Sequence, residues 1–114
     1  MAKKTAKKEL SEEALALLAE KLSAMGEPWR LRILNLLCCR GELNVSELVQ
    51  LCGGHQSNVS RHLARLLSAG LVARRKSGVQ IYYSLADDSL PVVCECLCKS
   101  LKKRISKLSA TFAE

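Results

Sequence analysis

Residues 45–67 read VSELVQLCGGHQSNVSRHLARLL, and this stretch decides the fold. A short helical run extends from Val45 to about Cys52, with Leu48 and Val49 inward. In a second run Val59, Leu63, Leu66 and Leu67 recur at three- and four-residue steps, the spacing of one apolar helix face. Between the two, Gly53-Gly54-His55-Gln56 breaks the period and predicts a turn. Ser57 stands near the start of the second run, and Ala69-Gly70 ends it.

Working outward, residues 71–76 (LVARRK) and 79–85 (VQIYYSL) flank Ser77-Gly78. Two β-rich runs about a glycine turn predict a hairpin. Asp87, Asp88 and Ser89 offer caps for a last helix, and Pro91 fits its first turn. That helix continues through Val92, Val93, Leu97, Leu101, Ile105 and Leu108. Upstream, Ser11 with Glu13 and Ala14 predicts a helix start, and Leu15, Leu18, Leu22 and Met25 form one stripe. Gly26 and Pro28 separate it from a second helix carrying Leu31, Leu34 and Cys38 on one face, with Ile33 and Leu37 beside it. Gly41 closes that helix. The predicted fold is mainly α with a small β-hairpin. Its single domain spans residues 11–108, between a basic flexible tail over 1–10 and a C-terminal tail over 109–114.

The chain has 114 residues, 48% of them hydrophobic and 4% aromatic, so a core must be built from aliphatic side chains. The formal net charge of +7 favours a polyanion as partner. No stretch approaches the length of a membrane span, and the basic start lacks the apolar run of a secretory signal. Six cysteines without such a signal point to a reducing, cytoplasmic setting, where thiols bind metal or sense redox state more often than they staple a fold. Enzyme chemistry finds no foothold. The Cys-x-Cys-x-Cys run at 94–98 lies within a helix, not on the turn a thiol oxidoreductase needs, and His55 and His62 are the only imidazoles.

Two short helices about a glycine turn, followed by a basic hairpin, form a winged helix-turn-helix. The second helix presents Gln56, Ser57, Asn58, Ser60, Arg61, His62 and Arg65. Arginine can donate two bonds to guanine, Asn and Gln can pair with adenine, and hydroxyls with helix N-terminal amides can hold phosphate. Arg74, Arg75 and Lys76 are expected at the hairpin tip, where a wing meets the DNA backbone.

The sequence resembles the ArsR/SmtB family of bacterial repressors over residues 12–108. Pro28-Trp29-Arg30-Leu31-Arg32-Ile33-Leu34, Gly41 to Leu48, Gln56 to Leu63, Ala69-Gly70-Leu71-Val72 and Ile81-Tyr82-Tyr83-Ser84-Leu85 carry the likeness as a set. The resemblance implies a homodimer joined through its first and last helices. It implies a near-palindromic double-stranded operator, released when an inducer acts, and no required cofactor.

Both familiar metal traps of that family are altered. The stretch that in well-known members reads Glu-Leu-Cys-Val-Cys-Asp-Leu is here Glu42-Leu43-Asn44-Val45-Ser46-Glu47-Leu48, without thiols. The zinc trap of the last helix needs imidazoles, and no His follows His62. What remains is thiol. Family members that sense oxidants or persulfides carry one Cys on the second helix and one on the last, aligned with Asn35 and near Lys102. Here Cys38 lies one turn later and Cys98 one turn earlier, shifts that compensate if the helices cross antiparallel. Cys38 and Cys98 are therefore the leading sensor thiols, with Cys94 beside Cys98 on the same face. The alternative is a thiolate site for arsenite, antimonite or a soft metal ion built on Cys94 and Cys98. A third reading is a non-thiol inducer. Cys39, Cys52 and Cys96 read first as space fillers.

Overall fold

A computed structural model describes residues 8–86 and 89–112; the side chains of Val93, Cys94, Leu97 and residues 109–112 lie outside that description. The elements run α1 (Glu12–Met25), α2 (Pro28–Arg40), β1 (Leu43–Asn44), α3 (Val45–Cys52), α4 (Gln56–Ser68), β2 (Val72–Ser77), β3 (Gln80–Leu85) and α5 (Ser89–Phe112). The Ser11 side chain accepts from the Ala14 amide and starts α1. Glu27 performs the same service for α2, its Oε1 taking the Trp29 N–H at 2.6 Å. A reciprocal capping box between Asn44 and Glu47 opens α3. The expected caps Asp87 and Asp88 lie outside the described residues.

The hairpin gains a third strand. β1 pairs antiparallel with β3, giving the order β1-β3-β2. Two residues carry no readable period, so β1 was invisible in the sequence. Its register, Leu43 opposite Tyr83 and Asn44 opposite Tyr82, fastens the wing to the start of α3. Gln56, read as part of the turn, is the first residue of α4. The last helix continues past Leu108 to Phe112.

Ile33, Leu34 and Leu37 of α2 meet Leu48 of α3, Val59, Leu63 and Leu66 of α4 and Leu71 in the core. The inward side of α2 is thus 33/34/37. Leu31 is exposed and Cys38 half-buried, which corrects the face expected for that helix. Among the described residues Tyr83 is the one Phe, Tyr or Trp in the buried set.

Outside this body, much apolar surface is uncovered. Leu15, Leu18 and Leu22 on α1, and Leu101, Ile105 and Leu108 on α5, are each 43–56% exposed. The 24-residue α5 packs on the body through α2. The radius of gyration is 17.2 Å, against about 13 Å for a compact chain near this length. No described helix is long and apolar enough to cross a membrane.

Candidate nucleic-acid interface

The turn between α3 and α4 is set by two glycines for different reasons. Gly53 closes α3 in the left-handed region, at φ 73°. Gly54 lies under the indole of Trp29, where an added Cβ would come within 2.8 Å of the ring. Arg32 stacks over that indole at 5.3 Å and donates to the Cys52 carbonyl at the end of α3. The N-terminus of α2 therefore fixes the geometry of the turn.

Among the described residues no side chain caps α4, and the first amides of a helix have no partner within the helix itself. Beside them Gln56, Ser57, Ser60 and Arg61 are exposed and Asn58 half-buried. Arg61 donates to Asn58 Oδ1 at 2.6 Å, holding the guanidinium and amide side by side. Unpaired amides at a helix N-terminus suit phosphate, and a preset Arg–Asn pair suits base edges.

His62 does not join this surface. It is 5% exposed and its ring stacks on Trp29, with centroids 6.5 Å apart. Its Nδ1 lies 3.5 Å from Glu27 Oε2 and 3.3 Å from Arg30. Burial lowers its pKa below the ordinary imidazole value; Glu27 opposes the shift, while Arg61 and Arg30 add to it. A polar residue one position past the exposed Arg61 had read as outward. The helix instead turns it onto α2. Arg65 is also engaged, bonded at 2.7 Å to Glu20 of α1.

The wing divides likewise. Its tip is Gly78-Val79, with Val79 94% exposed, so the basic run Arg74-Arg75-Lys76, expected at the tip, lies short of it on β2. Arg75 makes a two-point bond to Glu42, at 3.0 and 2.7 Å, and lies over the Tyr82 ring at 4.9 Å. That bond holds the Glu42 carboxyl below its usual pKa and raises Arg75. Strand alternation sends Arg74 and Lys76 to the other face, exposed. Sequence reading missed the Glu42 bracket because its partners are 33 residues apart.

The described thiols are spread over three elements: Cys38 and Cys39 near the end of α2, Cys52 at the end of α3, and Cys96 and Cys98 on α5. Cys52 is buried in the core, which raises its pKa despite the nearby Arg32. Cys39 and Cys96 are exposed and fill no core within the protomer, contrary to expectation. Cys98 is exposed and lines a groove of about 440 Å³ between α2 and α5, with Met25, Leu31, Asn35, Ser100, Leu101 and Arg104. Cys38 is half-buried and outside that lining. The Cys94 side chain lies outside the described residues. Among the described residues no three His, Cys, Asp or Glu side chains converge as a metal site.

Comparison with known proteins places this architecture. The family model described as bacterial regulatory protein, arsR family, matches residues 27–74. The arsenical resistance operon repressor of Bacillus subtilis is 33% identical over 97 residues, covering 84% of this chain and 92% of that protein. The transcriptional repressor PagR of Bacillus anthracis is 34% identical over 79 residues, covering 69% and 79%. A possible ArsR-family regulator of Mycobacterium bovis, solved as a homodimeric winged helix-turn-helix domain, superposes with a TM-score of 0.77 at 26% identity, covering 90% and 95%. These relatives are transcriptional regulators rather than enzymes. The chain belongs to the ArsR/SmtB family of winged helix-turn-helix, DNA-binding transcriptional repressors.

Proposed function

We propose that the chain acts in the cytoplasm as a homodimer on a near-palindromic operator and releases it when cysteine thiols are modified by reactive sulfur species or oxidants. The uncovered apolar faces of α1 and α5 support the dimer: a monomer leaves six large aliphatic side chains half in water. Gln56, Ser57, Asn58, Ser60 and Arg61 read the major groove, and Arg74 and Lys76 hold the backbone. Arg65 and Arg75 contribute through the contacts that fix α4 and the wing, and His62 through its packing on α2.

One observation carries the thiol reading. Cys98 stands exposed on α5 in a groove lined also by Asn35 of α2, the position that the family resemblance aligns with a second-helix sensing thiol. Two thiols that lose two electrons and two protons to an oxidant join as a disulfide, provided their Cα atoms come within about 7 Å. A bridge from Cys98 to Cys38 would draw α5 along α2 and alter the spacing of the two reading helices. A second reading, release by arsenite bound to thiolates of Cys94 and Cys98, is favoured by the arsenical repressor of Bacillus subtilis among the relatives.

The test is fluorescence anisotropy of the reduced protein on DNA from its own upstream region. Release by a persulfide donor, reversed by dithiothreitol and lost in Cys38→Ser or Cys98→Ser, is the expected result. Release by arsenite alone moves the function to the second reading. No release by either transfers it to a non-thiol inducer.

A further inference from the structure

α1 and α4 are joined by a set of polar contacts that the apolar core does not require. Glu20 Oε1 meets Arg65 at 2.7 Å. The next residue, Lys21, donates to the Ala69 carbonyl at the end of α4, at 3.0 Å. Its ammonium closes over Gly70, whose missing Cβ would lie 3.2 Å away. At the far end of α1, Arg30 spans the two helices, donating to the Ala24 carbonyl and meeting His62 Nδ1. The contacts reach α4 at His62 and Arg65 and its C-cap at Ala69, positions that follow one another at three- and four-residue steps along one stripe of the helix. α1 in turn carries the uncovered stripe of Leu15, Leu18 and Leu22.

We propose that Glu20 and Lys21 are positioning residues for the reading helix. They clasp α4 to the helix that meets the second copy of the chain, and so set the separation and tilt of the two α4 helices across the dimer. This rests on the dimeric operator-binding reading above. Helix α1 need touch no DNA for this. Its contacts matter only when both half-sites are engaged together, because a single half-site accepts α4 at any dimer angle.

The test uses the full chain and a labelled duplex from its own upstream region, beside the same duplex with one half of the footprint scrambled. The double variant Glu20→Gln, Lys21→Gln leaves the net charge unchanged, so long-range attraction to DNA is preserved. The expected result is about tenfold weaker binding to the intact duplex, the scale of one ion pair and one hydrogen bond lost per protomer. Affinity for the scrambled duplex and the salt slope stay as in the wild type. The exchange Glu20→Arg, Arg65→Glu restores intact-duplex binding.

Equal loss on both duplexes, or no loss on either, overturns the clasp. So does an exchange variant that fails to recover and shows a salt slope lower by about one, since Arg65 would then be a phosphate contact itself. If the wild type shows no preference for the intact duplex, the dimeric reading falls first and the clasp with it. A wild-type preference that the variants leave unchanged sinks the clasp alone. Far-UV circular dichroism confirms that each variant is folded.

Discussion

The body formed by α2, α3, α4 and the sheet differs from α5 in how its apolar residues are spent. In the body the aliphatic positions face one another, and Ile33, Leu34, Leu48, Val59, Leu63 and Leu66 lose nearly all contact with water. On α5, Leu90 enters the core but Val92, Leu101, Ile105 and Leu108 remain exposed. Both regions have helical spacing of apolar residues. One completes its packing within the chain, whereas the other presents a finished face that awaits a neighbour.

A matched pair of substitutions breaks or sharpens this contrast. Leu63→Ala is expected to cost about 2–5 kcal/mol in urea unfolding, as truncation of a fully buried leucine does. Ile105→Glu is expected to leave the body's secondary structure intact while abolishing the proposed dimer in sedimentation velocity. The melting temperature then loses its dependence on protein concentration. If Ile105→Glu unfolds the body, α5 belongs to the core and the contrast is wrong.

A smaller effect comes from within the body, at His62. Burial lowers its pKa below the ordinary 6.5, so the unfolded chain binds the proton more readily than the folded one. The resulting stability is full above pH 6.5 and is lost as pH falls through the folded-state pKa. His62→Gln, measured by thermal unfolding across that window, is expected to flatten the decline. An unchanged profile would assign the acid sensitivity to other groups.

The legibility of the sequence follows the same division. α3, the turn and α4 were readable because local period, glycine punctuation and burial coincide there. The faces of α1 and α5 were readable as stripes, but a stripe does not say whether its partner is the same chain or another. His62 was misplaced because its reason for facing inward is Trp29 and Glu27, more than 30 residues upstream. Likewise the sequence showed three basic residues in a row on β2. It did not show that an acid at Glu42 had already claimed the middle one.

That last pattern supports the finest prediction. Arg74, Arg75 and Lys76 are adjacent, equally charged and on one strand, so composition assigns them one role. Strand alternation separates them: Arg75 points to Tyr82 and is held at two points by Glu42, while Arg74 and Lys76 are exposed on the opposite face. A phosphate contact releases counterions on binding, and a cation already neutralised by a carboxylate releases few. Arg74→Ala is therefore expected to lower the salt slope of DNA binding by about one for each half-site engaged. Arg75→Met should leave the slope near the wild-type value, because an arginine held by Glu42 has no phosphate contact to lose. Its effect appears instead as reduced amide protection in β2, where the wing loses its bracket to the start of α3. Equal slopes for the two variants would mean that Arg75 leaves Glu42 for the DNA, and that the bracket is a feature of the free protein alone.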